Sequence, residues 1–115
     1  MALTTNTITQ SMGVNNFATG YVVTDAAAAA NTVFTVGFVP RHVRWFNTTD
    51  GISDEWIAGM ANGAALHTVA AGTRTLAASP TGITVGLQGA PDGGTFTIPA
   101  ALIPASKTFV WEVVG

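Results

Sequence analysis

Hydrophobic positions in this chain recur with period two, in short runs separated by turn residues, and a sustained helical period appears nowhere. Phe17–Thr24 is aromatic and β-branched, which predicts a strand. Asp25–Asn31 holds a run of five Ala. That is too short to hold a helix against the cost of nucleation, so a loop or a short helix is expected. Asn31–Phe38 alternates, with Phe34, Val36 and Phe38 on one face and Val33 on the other. Pro40 ends that run. Arg41–Thr48 alternates again, placing Val43 and Trp45 on one face and Arg44 and Phe46 on the other.

Further strands are predicted at 64–70, 73–76, 83–87, 95–98 and 107–114, the last with Phe109 and Trp111 opposite Val110. Turn signals fall between them at 59–63, 71–72, 79–82 and 89–94. Pro104 breaks the apolar stretch 99–106. Eight to ten short strands at this spacing define an all-β fold, a compact β-sandwich or barrel-like domain.

The dipeptide Asp50-Gly51 between two alternating runs is a hairpin signal, because both residues tolerate the positive φ angles of a tight turn. A hairpin is expected over 41–60. With Asp50 and Gly51 as the central pair, Trp45 lies opposite Trp56, Asn47 opposite Asp54 and Phe46 opposite Glu55. Arg44 is then diagonal to Glu55. Arg41, Arg44, Trp45, Glu55 and Trp56 are the candidate hairpin and interface residues.

Length adds a boundary condition. A chain of 115 residues fits one domain. Its folded surface should be about 5,900 Å². Residues 1–16 are polar, repeat Thr and Asn, and have little to bury, so they are expected to form an extended N-terminal arm. Such an arm is either frayed or laid across a neighbour. Residues 17–115 are then the single β domain. No stretch has the basic and apolar regions of a signal peptide or the length of a membrane helix, and no membrane partner is expected.

Charge changes the picture most. Only 9% of residues are charged, four Lys and Arg against six Asp and Glu, where about 25% is usual. Nucleic acid is not an expected partner, because counterion release needs clustered cations. Pro40–Phe46 is basic and aromatic, but Arg41 and Arg44 have opposite parity and form no stripe. A neutral surface rich in Ala, Thr and Gly suits packing against other chains. A homo-oligomer is expected.

Candidate chemistry is sparse. His42 and His67 are the only imidazoles, Cys is absent, and none of Ser11, Ser53, Ser79 and Ser106 lies in a nucleophile-elbow sequence. The carboxylates Asp50, Asp54 and Glu55 lack the spacing of a calcium loop and read as turn chemistry with a pair to Arg44. Gly86–Gly94 is not followed by the Gly-Lys-Thr of a phosphate loop. No enzymatic activity, cofactor or metal is expected. The three Trp are expected in the core. Exposed, they would stack on sugar rings, and the alternative function is a tail-fibre or adhesive carbohydrate-binding module.

Three segments carry a resemblance: Phe34–Arg44 (FTVGFVPRHVR), Glu55–Gly63 (EWIAGMANG) and His67–Leu76 (HTVAAGTRTL). Together with the closing strand Phe109–Glu112, they resemble small virion structural proteins of tailed bacteriophages. The resemblance implies a head decoration (cement) protein, a compact β domain bound in many copies to the major capsid protein at the capsid surface, often as a trimer. It further implies that an extended arm clamps neighbouring capsomers.

Overall fold

The computed structural model describes residues 3–10 by their backbone and residues 16–86 and 93–115 in full. The chain is all-β. Its strands are β1 (Leu3–Gln10), β2 (Phe17–Thr24), β3 (Thr32–Thr35), β4 (His42–Asn47), β5 (Ile52–Ile57), β6 (Ala65–Thr68), β7 (Arg74–Ala77), β8 (Thr84–Val85), β9 (Thr95–Ile98) and β10 (Thr108–Val114). One 3-10 turn, Ala100–Leu102, fills part of the stretch broken by Pro104. Asp25–Asn31 is a loop, as its five Ala allow.

Two antiparallel sheets form a sandwich. The larger runs β1-β2-β10-β4-β5-β6-β7, and the smaller runs β3-β9-β8. The last strand, β10, lies inside the larger sheet, between β2 and β4. Period-two patterning decides which side chains meet. Val43, Trp45, Phe109, Trp111 and Val113 point inward from β4 and β10, and Phe34, Phe96 and Ile98 answer from the small sheet. Phe34 stacks on Phe96 at 5.1 Å and leans on Trp45 at 5.5 Å; Trp111 meets Phe96 edge-on at 5.0 Å. Trp45 stacks on Phe109 at 4.9 Å.

All three Trp are core residues. Trp45, Trp56 and Trp111 are 1%, 5% and 3% exposed. The indole N–H of Trp45 donates to the Leu102 carbonyl at 2.8 Å and that of Trp56 to Ala61 at 3.1 Å, which lets these rings be buried without a lost hydrogen bond.

The segment expected as an arm is extended, but residues 3–10 lie along the chain's own sheet as edge strand β1, paired with β2. Residues 1–2 and 11–15 of that arm lie outside the described residues, as do Leu87 and most of the loop expected at 89–94.

The hairpin exists, with a register that corrects the expected one. Asn47 pairs with Ile52, so Thr48–Gly51 is a four-residue loop. Trp45 therefore faces Asp54 rather than Trp56, Phe46 faces Ser53, and Arg44 faces Glu55 directly. The physical cause is Asn47. Its side-chain oxygen accepts from the backbone N–H groups of Thr49 and Asp50, each at 3.0 Å, and its amide donates to Asp50 at 2.9 Å. This Asx turn makes Asn47 the last paired residue. Gly51, at φ +71°, closes the loop by donating to the Asn47 carbonyl at 2.9 Å. The shift is two residues, so face parity survives: Trp45 and Trp56 stay on one face of adjacent strands, as diagonal neighbours.

Candidate functional site

Over β2, β10, β4 and β5 the larger sheet has one covered face and one open face. Register aligns the open face into rows. Tyr21 pairs with Val110, Val110 with Phe46, and Phe46 with Ser53. The adjacent row is Thr19, Glu112, Arg44, Glu55, Leu66 and Leu76. The parts of these rows on β2, β10, β4 and β5, as far as Ser53 and Glu55, line a half-open concavity of about 670 Å³, and Leu66 and Leu76 lie outside it. Tyr21, Phe46 and Val110 are its exposed apolar surface, at 42%, 43% and 37%.

The polar part of this face is an alternation of acid and base. The Glu55 carboxylate lies 3.5 Å from Arg44 Nε and 3.5 Å from His42 Nε2. Both partners come from the outward positions of β4, and β5 brings Glu55 between them. Glu112 flanks Arg44 from the other side in register. Among the described residues Glu112 has no ion-pair partner.

Of the five residues selected from sequence, the structure separates two from three. Trp45 and Trp56 face the core and are not available to a partner. Arg44 and Glu55 lie together on the open face. Arg41 is exposed just before β4, where its backbone N–H donates to Val114 and its carbonyl accepts from Ala58. Tyr21, Phe46, Val110 and Glu112 are the members of this face that sequence reasoning missed. Parity alone gives their side, but which strands are neighbours is a long-range fact: β2, β10 and β4 adjoin although the chain between them is long.

A second cluster was also missed. His67 Nδ1 is 2.7 Å from Asp54 Oδ1, joining β6 to β5 on the inner face. Asp54 is 3% exposed, and burial raises its pKa above the ordinary carboxylate value while the His67 hydrogen bond opposes the rise. An acid–base pair of this kind acts in catalysis by activating a nucleophile. Its sequence neighbour Ser53 points the other way, into the open concavity. The pair fastens β6, next to the edge strand β7, to the sheet. Asp50 is the opposite case: Lys107 Nζ donates to it at 3.0 Å and Asn47 at 2.9 Å, which lowers its pKa and ties the hairpin loop to the start of β10. Among the described residues no three His, Asp or Glu side chains converge as metal ligands.

Comparison of the chain with protein-family models, with curated proteins and with solved structures found no match.

Proposed function

We propose that this protein is a non-enzymatic virion structural component of a tailed bacteriophage, a decoration protein that binds the major capsid protein in many copies at the capsid surface and forms a closed homo-oligomer, most simply a trimer. The observation that carries this proposal is the surface at the β5–β7 end. β7 is a sheet edge that no strand of the described chain covers. Leu76 on that edge is 68% exposed and Ile57 on β5 is 48% exposed, with Leu66 between their strands. An uncovered edge beside apolar side chains is a template for another chain. The rest of the surface supports this. The chain exposes 6054 Å² and has only ten charged residues, four basic and six acidic, one of which, Asp54, is buried. The resemblance over residues 34–76 supplies the virion setting.

Mass photometry of the pure full-length chain, alone and with capsids of the phage that encodes it, tests the proposal. The expected result is a closed oligomer alone and many-copy binding to shells. A chain that stays monomeric at high concentration and ignores capsids overturns it. Deleting residues 2–16 removes β1 and bares the edge of β2, and this variant should bind shells more weakly. The alternative of sugar stacking on Trp has lost its platform, because all three indoles are buried.

A further inference from the structure

We infer that the concavity on the open face of the larger sheet is a binding site for an uncharged oligosaccharide, held by Tyr21 and Phe46 and oriented by Glu112, Arg44 and Glu55. This goes beyond the decoration proposal and does not depend on it. The aromatic pair comes first. Tyr21 and Phe46 flank Val110 in register on β2, β10 and β4. Two strand spacings separate their positions, about 10 Å. That matches the spacing of alternate rings in an extended glycan, so one sugar ring can rest on each aromatic side chain. A pyranose has an apolar C–H face and a rim of hydroxyls. An aromatic row beside a polar row presents both complements at once.

The polar row sets the chemistry. Arg44 is a donor between two carboxylate acceptors, Glu112 and Glu55. Adjacent hydroxyls on a sugar ring both donate and accept, and such a row serves both. Arg44 is the one guanidinium between two carboxylates, and His42 lies on Glu55 at 3.5 Å, so the row offers no surplus of cations to phosphates, sulfates or uronic acids, which favours uncharged glycans. The volume of about 670 Å³ is that of a small-molecule site.

Other occupants fit less well. A second copy related by a two-fold axis would bring the same concave face, and two concavities opposed leave a void. A peptide strand would need backbone hydrogen bonds, which the face of a sheet does not offer because its N–H and C=O groups are spent within the sheet. An aliphatic chain would strip water from Arg44 and both carboxylates without replacing its hydrogen bonds.

The test uses the full-length chain on an array of uncharged and acidic glycans. Calorimetry and amide chemical-shift mapping then follow with the best soluble oligosaccharide. An uncharged oligosaccharide should bind, with shifts concentrated at 19–21, 44–46, 53–55 and 110–112. Tyr21→Ala and Phe46→Ala should each weaken binding about tenfold. Tyr21→Phe, which keeps the ring, should retain most of the affinity, and Leu76→Ala on β7 should leave it unchanged. Dispersed amide spectra of each variant exclude loss of fold. Failure of every uncharged glycan to bind at millimolar concentration overturns the inference. So does a preference for acidic glycans, binding that both alanine variants leave intact, or shifts confined to another face. A chain that decorates shells and binds no glycan would fail here alone, and the converse result would fail the decoration proposal alone.

Discussion

The two faces of β4 and β10 share one backbone and differ in almost everything else. Inward, Val43, Trp45, Phe109, Trp111 and Val113 are at most 3% exposed. Outward, Phe46 and Val110 are 43% and 37% exposed and stand beside Arg44, Glu112 and the neighbouring Glu55. Hydrophobicity does not separate the sets, since Phe46 is as apolar as Phe109. Position parity does, together with where the small sheet sits. The inner face spends its aromatic area on the core; the outer face keeps its aromatic area available.

Truncating one Trp of the inner face should give the largest effect. Trp111→Ala removes a ring packed against Phe34 and Phe96 and should cost about 3–5 kcal/mol. Phe46→Ala on the outer face should cost less than about 1 kcal/mol. Urea midpoints of the two variants measure the contrast directly. Equal losses would mean that the outer face is covered in solution, by an oligomer contact.

Gly20 sharpens the inner side of the comparison. It pairs with Trp111, and the indole lies over it so closely that an added Cβ would clash with the ring. The ring is held by Phe96 and Phe34 and cannot step aside. Gly20→Ala should therefore destabilise by about 1–3 kcal/mol, although it adds one methyl group to a strand. Retention of the wild-type midpoint would show that the indole has room to move.

How far the sequence reached follows the same division. Alternation at 31–38, 41–48 and 107–114 gives strands there and sorts their side chains by face, because parity is local. It puts Trp45 with Val43 and Phe109 with Trp111, and the structure agrees. Register is different. The Asp50-Gly51 signal pointed to a two-residue loop, but the side chain of Asn47 captures two backbone N–H groups and moves the closure outward. Strand order was hidden as well. Nothing near Val110 indicates that it lies between Tyr21 and Phe46, and nothing near Asp54 indicates that it meets His67. The open face and its row of residues thus depend on pairings that no local pattern carries.

The Arg44–Glu55 pair tests how wet the outer face is. The Arg44 side chain is 61% exposed and that of Glu55 34%, at 3.5 Å. A double-mutant cycle should return a coupling of about 0.2–1 kcal/mol that shrinks as salt is added. A larger, salt-insensitive coupling would again indicate a second chain over this face.

The smallest effects are the most diagnostic, because two carboxylates should respond to pH with opposite signs. Asp50 is held below its ordinary pKa of 3.8 by the hydrogen bonds from Lys107 and Asn47. Its contribution to stability is present above 3.8 and is lost as pH falls through the lower folded value. Asp50→Asn should lower the urea midpoint near neutrality and converge with wild type in strong acid. Asp54, on the inner face, is pushed above 3.8 by burial, against the pull of His67. The fold there favours the protonated acid, so its contribution is present below 3.8 and is lost as pH rises through the raised folded value. Asp54→Asn does not titrate, and its midpoint relative to wild type should improve as pH climbs through that window. Midpoints of both variants at about pH 3 and about pH 5.5 lie on either side of the ordinary carboxylate value of 3.8 and below the ordinary histidine pKa of about 6.5. Opposite slopes would confirm that Asp50 is stabilised as a charge at the rim and Asp54 is penalised as one inside. Parallel slopes would show that the hydrogen bond from His67 outweighs the burial of Asp54, making it a stabilised carboxylate like Asp50.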